Sequence, residues 1–252
     1  EMGVRFFFNQ PVKKILIKNK KVSGLQTGNE NIGFDHVISN VDVVMLYKHL
    51  LPDLPFPKKQ LSLERSSSAM IFYWGMDRQF NQLGLHNILF SQDYKKEFDH
   101  LFGTKNISED PTVYIFISSK VVPGDAPPGK ENWYVMINAP ENIGQDWSGL
   151  VAKTRQNIIN KIKKITGIEV EKHIITEHIA DPVTIEQETA SYNGSLYGLS
   201  SNNKFAAFYR HPNFKKRIKN LYFTGGSVHP GGGIPLALAS AMIVDKEFSK
   251  YK

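Results

Sequence analysis

The residues with the clearest chemical potential lie near the C-terminus, in Leu221-Tyr222-Phe223-Thr224-Gly225-Gly226-Ser227-Val228-His229-Pro230-Gly231-Gly232-Gly233-Ile234-Pro235. A short apolar run leads into a loop with five glycines in nine residues, and the stretch from Leu236 to Phe248 that follows is apolar and rich in small residues, as expected of a packed helix. Glycine lets backbone N–H groups approach a ligand closely. Pro235 suits the first turn of a helix, where its missing N–H costs nothing. The N-terminus of that helix then offers partial positive charge to an anion. A phosphate fits this description, and so does a reduced flavin, whose negative charge spreads over N1 and the C2 carbonyl. The candidate binding residues are therefore Gly225, Gly226, Ser227, Gly232, Gly233, Ile234 and Pro235. A tight turn that merely joins strand to helix is the competing reading, and the better one for an arbitrary glycine triplet; the density of glycines in a strand–loop–helix context favours a ligand.

Other polar residues offer less. His229, inside the loop, suits either a hydrogen bond to a ligand or one to a backbone carbonyl. His86, His100, His173, His178 and His211 show no metal-binding spacing with carboxylates, so no metal site is expected. The chain has no cysteine, which excludes disulfides, thiolate ligands and a cysteine nucleophile. Asp35, Asp42 and Asp181 adjoin turns and read as caps rather than acids. Lys204, Arg210, Lys215, Lys216, Arg217 and Lys219 form a basic cluster with no acid between residues 204 and 220, interleaved with Phe205, Phe208, Tyr209 and Phe214. Basic plus aromatic composition suits an anionic membrane surface, a nucleic acid, or a plain solvated face.

Several elements must position these groups. Val4 to Phe8, Val12 to Ile17, Val22 to Gln26, Ile32 to Phe34 and His36 to Ser39 read as strands, with Asp42 capping a helix from Val43 to Leu51. Pro52, Pro55 and Pro57 mark a crossing between domains. Further strands are expected at Ala69 to Trp74, Thr112 to Ser118, Trp133 to Asn138 and Ile174 to Glu177. Asp93 to Phe102 and the region from Pro182 read as short helices. Trp147 to Ile165 is the clearest helix: Val151, Ile158, Ile162 and Ile165 share a face, Lys153, Arg155, Lys161, Lys163 and Lys164 occupy the polar side, and Gly167 ends it. The aromatic runs Phe72-Tyr73-Trp74 and Tyr114-Ile115-Phe116 read first as core, although alternation along a strand would let one face line a tunnel.

The chain has 252 residues, 41% hydrophobic and 22% charged, enough for one large core or two modest ones. A formal charge of +7 accords with solubility or with an anionic surface. No apolar run reaches the roughly 18 residues of a transmembrane helix, and Glu1-Met2-Gly3-Val4-Arg5 does not read as a signal peptide, having no basic leader followed by an apolar stretch.

The glycine-rich stretch resembles the C-terminal flavin-binding signature of the phytoene desaturase (carotenoid desaturase) family, at His229-Pro230-Gly231-Gly232-Gly233-Ile234-Pro235. The similarity extends further. The segment from Gly3 through Val12-Lys13-Lys14-Ile15 resembles the part where a valine backbone meets the adenine, adding Val12 to the cofactor residues, and Val37 to Asp42 resembles the strand leading to the substrate domain. Ala126-Pro127-Pro128-Gly129 and Asn132-Trp133-Tyr134 fit the family's middle region. Gly194 to Gly198 and Phe205 to Phe208 resemble hydroxycarotenoid 3,4-desaturases. The resemblance implies an α/β two-domain flavoprotein, with residues 1–45 and 206–252 in a partial Rossmann-type FAD domain and 46–205 in a substrate domain. It implies FAD as cofactor and a carotenoid as substrate, with hydride passing to flavin N5 and a proton leaving the neighbouring carbon. The family's strand–GxGxxG–helix has no counterpart in residues 1–60. The chain thus reads as a C-terminal half that would hold FAD weakly alone, and no catalytic residue is assigned. A substrate insoluble in water turns the basic cluster toward a membrane surface rather than nucleic acid, and implies a cytoplasmic, membrane-peripheral protein. The alternatives are another flavin oxidoreductase of the amine oxidase superfamily, or a non-catalytic lipid-binding module of the same fold.

Overall fold

A computed structural model describes residues 3–58, 62–202 and 206–251; Lys204 and Phe205 of the basic cluster lie outside the described residues. Strands β1 (Val12–Lys18), β2 (Lys21–Thr27), β3 (Glu30–Gly33) and β4 (Val37–Ser39) come first, then helix α1 (Val43–Met45), which widens into a π-turn over Leu46–Leu50. Next come β5 (Ser68–Met76), β6 (His86–Leu89), α2 (Tyr94–Phe98), β7 (Val113–Phe116), β8 (Glu131–Ala139), α3 (Trp147–Thr166), β9 (Ile174–Ala180) and α4 (Pro182–Thr189). The chain closes with α5 (Ala206–Tyr209), β10 (Leu221–Phe223) and α6 (Ile234–Phe248). Two compact units result: Glu1–Arg65 with Ala190–Tyr192 and Tyr197–Lys252, and Ser66–Thr189 with Asn193–Leu196. The division falls at 65/66 and within 189–197, not at 45/46 and 205/206: the helical segment after β4 joins the first unit because Val43, Val44, Leu46, Tyr47 and Leu51 are buried in its core.

In the first unit β1, β2 and β3 form an antiparallel meander, and β10 pairs in parallel with β4 in the register Leu221↔Val37, Tyr222↔Ile38, Phe223↔Ser39. Asn19 and Lys20 turn the β1–β2 hairpin with φ of 51° and 59°, the left-handed pair that matches strand twist in a two-residue loop. Asp42 caps α1 by accepting from the Val44 N–H at 2.9 Å, and its other oxygen accepts from buried Arg65 at 2.9 Å. Two expectations fail. Val4 to Phe8 forms no strand, and Phe6, Phe7 and Phe8 are exposed; β-propensity without a neighbouring strand to pair with does not make one. Helix α6 is not packed all round: Ser240 and Val244 are buried, while Ile234, Leu236, Leu238 and Met242 are exposed.

The second unit is a five-stranded antiparallel sheet, order β6-β7-β8-β5-β9, with α3 on one face. Along β5 the side chains alternate: Met70, Phe72, Trp74 and Met76 enter the core with Val113, Ile115, Trp133, Val135 and Ile137. Burying one such tryptophan contributes about 4–6 kcal/mol before the entropy of ordering it. Helix α3 starts on Asp146, which accepts from the Gly149 N–H at 3.1 Å, and stops at Gly167, whose φ of 74° favours glycine. Its inner face carries Trp147, Ile158, Ile159 and Ile162, but Ile165 is exposed. Lys161, expected on the polar face, is buried, with Nζ 2.7 Å from Asp110 and 2.6 Å from the Pro111 carbonyl. The four-residue β6 was absent from the sequence expectations: at that length alternation gives little signal.

Candidate functional site

The glycine-rich loop occupies residues 224–233, between β10 and α6. Its first residue continues the parallel ladder, the Thr224 N–H donating to the Ser39 carbonyl at 2.9 Å. Close approach then dictates small residues. A Cβ on Gly225 would meet Asn40 Oδ1 at 2.4 Å, one on Gly226 would meet Gly232 Cα at 3.2 Å, and one on Gly232 would strike Tyr197 at 2.5 Å. Ser227 Oγ accepts from the Val43 N–H at 3.0 Å, so this side chain anchors the loop to the start of α1. The His229 N–H donates to the His211 carbonyl at 2.9 Å, and the Arg210 guanidinium donates to the Pro230 carbonyl and, at 2.7 Å, to Ser201 Oγ.

Gly233 differs from these glycines. Its φ of 93° is one that L-residues avoid, yet a Cβ there would meet no atom within 4 Å. Packing within the first unit thus accounts for Gly225, Gly226 and Gly232, whereas Gly233 opens onto free space at the head of α6. No side chain caps this helix start; the Gly233 carbonyl accepts from the Ala237 N–H at 2.9 Å, and Pro235 brings no N–H. The N–H groups of Ile234 and Leu236 in the first turn have no acceptor within the helix, and the helix dipole adds partial positive charge at this end, an arrangement suited to the oxygens of an anionic or strongly polar ligand. A flavin fits these residues: there is room where a Cβ would intrude, and backbone donors at its edge.

The structure brings together Gly225, Gly226, Ser227, Gly232, Gly233, Ile234 and Pro235, but Val12 opens β1 in a different sheet from β10. His229 is exposed and tied to the fold through its backbone. Among the described members of the basic cluster, Arg210 and Lys215 are not free: Arg210 holds the loop, and Lys215 Nζ sits 4.8 Å from the Tyr47 ring centre. Sequence reasoning missed Asn213, whose Nδ2 donates to the carbonyls of Phe223 (3.1 Å) and His229 (2.8 Å) and to Ser240 Oγ (2.8 Å).

Behind the loop lies a buried imidazole. His211 Nδ1 is 2.8 Å from the Pro212 carbonyl, which can only accept, so Nδ1 carries the proton and Nε2 accepts from Tyr47 Oη at 2.9 Å. Burial pushes His211 down to about 4, with Lys215 acting the same way and the bond to Pro212 opposing, and burial pushes Tyr47 up to about 12. Both groups are neutral at pH 7 and serve structure.

In the second unit the sheet face opposite α3 carries a second candidate surface. Direct cross-strand register sets His86 opposite Phe116, Phe116 opposite Tyr134, Tyr134 opposite Tyr73, and Tyr73 opposite His178. One ring from each of the five strands therefore falls on a single cross-strand register row. Ring centres are 5.2 Å apart for His86–Phe116, 5.5 Å for Tyr73–Tyr134 and 5.8 Å for Tyr73–His178. The adjacent row, Ile88, Tyr114, Met136, Ile71 and Ala180, is covered at one end: Ile71 and Ala180 are buried with Ile185 of α4, and Met136 packs beside them. A concavity of about 520 Å³ opens over Tyr73, Gly75, Phe116, Tyr134 and His178. At strand spacings of about 4.8 Å, five strands give a row roughly 19 Å long, suited to an extended ligand. The alternation divides Phe72-Tyr73-Trp74 and Tyr114-Ile115-Phe116: Phe72, Trp74 and Ile115 are core, and Tyr73, Tyr114 and Phe116 face outward.

Residues 1–244 match the family described as flavin containing amine oxidoreductase. The chain is 56% identical, over 243 residues, to the 1-hydroxycarotenoid 3,4-desaturase of Flavobacterium sp. (strain P99-3), covering 96% of this chain and 50% of that protein. It is 31% identical over 264 residues to the 4,4'-diapophytoene desaturase (4,4'-diaponeurosporene-forming) of Staphylococcus aureus (strain Newman), covering 99% of this chain and 52% of that one. It spans about half the length of these curated relatives. Among solved structures, an oxidoreductase from Methanosarcina mazei aligns at a TM-score of 0.55 and 16% identity, over 94% of this chain and 49% of the other. A putrescine oxidase triple mutant aligns at 0.55 and 15%, over 95% and 49%. At such identities these structures share the fold. The match across 1–244 places the chain among its relatives: it belongs to the flavin-containing amine oxidoreductase family.

Proposed function

We propose that the full protein containing this chain is an FAD-dependent carotenoid desaturase acting on a hydroxylated carotenoid, and that this chain supplies the C-terminal part of its cofactor domain and its substrate domain. The observation that carries the reading is the free space at Gly233 before the uncapped head of α6, in a chain 56% identical to a 1-hydroxycarotenoid 3,4-desaturase. In this reading the first compact unit is the FAD unit and the second the substrate unit. Gly225, Gly226, Ser227 and Gly232 shape the loop, Gly233, Ile234 and Pro235 meet the cofactor, and Val12 lies toward the adenine. FAD, when bound, supplies the hydride acceptor for converting a C–C single bond to a double bond. The chain's own residues bind, orient and exclude water. The rings of Phe116, Tyr134 and Tyr73 lie under the polyene, and their apolar faces replace water along it.

The test is product analysis. The full-length protein, incubated with a 1-hydroxycarotenoid, should yield a product with one more conjugated double bond and a longer-wavelength absorption maximum. Hydrogen peroxide release from amines, without any change in the carotenoid, would identify an amine oxidase instead. Absence of flavin absorbance in the full-length protein would leave a lipid-binding module of the same fold.

We also propose that the protein works at a membrane surface on the cytoplasmic side, without nucleic acid. Phe208 is 83% exposed, Lys216, Arg217 and Lys219 are exposed in the same C-terminal segment, and a carotenoid reaches an enzyme most readily from lipid. Among the described residues no helix is long and apolar enough to cross a membrane. Sedimentation with anionic vesicles that weakens as salt rises, leaving a salt-resistant remainder from Phe208, supports this; equal binding at low and high salt rejects the electrostatic part.

A further inference from the structure

We propose that the concavity between the β1–β2 turn and the turn at residues 216–219 is a binding site for phosphate groups, separate from the glycine-rich loop. It measures about 1040 Å³ and is lined by Lys18, Lys20 and Lys21 from the first turn and Lys216, Arg217 and Lys219 from the second; Asp35 is the carboxylate in its lining.

The two basic turns lie about 200 residues apart in sequence, and backbone hydrogen bonds hold them side by side. The Lys219 N–H donates to the Lys20 carbonyl at 2.9 Å, the Val22 N–H donates to the Lys219 carbonyl at 3.1 Å, and Lys21 and Lys219 form a parallel bridge. Buried Ile218 and Val22 anchor either side of this junction in the core. The cations are thus fixed at their backbones rather than carried on loose ends.

The fold gathers these charges without neutralising them. Among the described residues, none of the six cations lies within 4 Å of a carboxylate, whereas Lys105, Lys120, Lys153, Arg155, Lys161 and Lys163 of the second unit all do. Six like charges gathered in one lining repel one another, Lys21 and Lys219 meeting there in a parallel backbone bridge. A bound polyanion would reverse that repulsion. Phosphate is the chemistry that matches: its tetrahedral oxygens take several converging donors, five ammonium groups supply point charges, and the Arg217 guanidinium supplies a planar fork for two oxygens. The volume exceeds what a single inorganic phosphate needs, so the ligand carries its phosphate on a larger body, as an anionic phospholipid headgroup or a soluble phosphate compound does.

The experiment uses the full-length protein, a cavity variant (Lys20→Gln, Lys216→Gln, Lys219→Gln) and a control of equal charge change on exposed lysines elsewhere (Lys13→Gln, Lys95→Gln, Lys164→Gln). One arm measures sedimentation with phosphatidylglycerol vesicles against phosphatidylcholine vesicles; the other measures tripolyphosphate binding by calorimetry. Loss of binding in the cavity variant, on the order of a hundredfold, with less than about threefold loss in the control, supports the site. Loss in the vesicle arm alone identifies a lipid headgroup, and loss in the tripolyphosphate arm identifies a soluble ligand. The cavity variant should also melt no lower than wild type, since substitution removes repulsion. Equal losses in the two variants, or wild-type protein that binds neither ligand, overturns the proposal. Flavin content reports on the glycine-rich loop separately, so failure here is distinguishable from failure of the desaturase reading.

Discussion

Asn213 Nδ2 stands 2.8 Å from the carbonyl oxygen of His229, inside the turn that carries the glycine-rich loop from β10 to α6. The same nitrogen donates to the Phe223 carbonyl at the end of the strand and to Ser240 Oγ on the helix, so two hydrogens serve three acceptors. One buried side chain therefore fixes strand, loop and helix against each other, and with them the position of Gly233.

Asn213→Ala should leave those buried acceptors without a donor, at a cost of about 1–3 kcal/mol. The melting temperature should fall by several degrees, and the flavin absorbance of the full-length protein should fall with it, because the loop is no longer held. Asn213→Asp should be at least as harmful, since a carboxylate would face two carbonyl oxygens. An unchanged melting temperature for Asn213→Ala would show that the loop is held by its other contacts.

At Gly233 strain and space can be separated. Its φ of 93° penalises any side chain, by about 1–3 kcal/mol, whereas open space around the Cβ position means that Val clashes with the protein no more than Ala does. Without flavin, Gly233→Val should melt somewhat below Gly233→Ala, because a β-branched side chain is strained further at this φ. If the free space belongs to the cofactor, Val should abolish flavin retention and Ala should weaken it less. Equal flavin content in both variants would assign this glycine to backbone conformation alone.

What the sequence disclosed was local. The caps at Asp42 and Asp181, the stop at Gly167 and the alternation in β5 and β8 depend on residues a few positions apart, and they appear as expected. The parts that escaped depend on partners far along the chain. Val4 to Phe8 has the composition of a strand but no strand to pair with. Lys161 reads as polar surface until Asp110 and the Pro111 carbonyl are found beside it. The ring row from His86 to His178 exists only through the registers of five strands spread over more than 90 residues. The glycine-rich loop was legible as a candidate because its composition is extreme, but separating Gly233 from Gly225, Gly226 and Gly232 required Asn40 and Tyr197 in place.

The buried His211 gives the first unit a pH dependence with a definite sign. Its value falls from an ordinary 6.5 to about 4 in the folded protein, chiefly through burial. The unfolded chain therefore takes up a proton between pH 6.5 and 4 while the folded chain does not. Stability is fully present above about pH 6.5 and declines toward pH 4, by about 3 kcal/mol at most from this group. His211→Gln should be less stable at pH 7, having lost the Tyr47 and Pro212 contacts, yet its melting temperature should fall less between pH 7 and pH 5. An identical fall in the two proteins would remove His211 as the source.

Tyr73 separates the binding role of the sheet face from its structural role. It lies at the crossing of three strands, opposite Tyr134 and His178, and is 42% exposed. Its neighbours Phe72 and Trp74 point the other way into the core, and the Trp74 indole N–H donates to Glu177 at 2.5 Å. Truncating Tyr73 to Ala therefore removes ring contacts from the open face while leaving the core filled. Folding should lose about 1 kcal/mol or less from the ring pairs. If a polyene lies along the row, kcat/KM for a carotenoid should fall roughly tenfold for the roughly 1.4 kcal/mol of contact removed. Trp74→Ala is the contrasting variant: a buried ring is lost, stability falls by about 3–5 kcal/mol, and activity disappears with the fold. The comparison is made at equal flavin content and near the same temperature, following product by absorbance. Tyr73→Ala with undiminished kcat/KM and unchanged products would move the substrate off this face, whatever the row of rings suggests about an extended ligand.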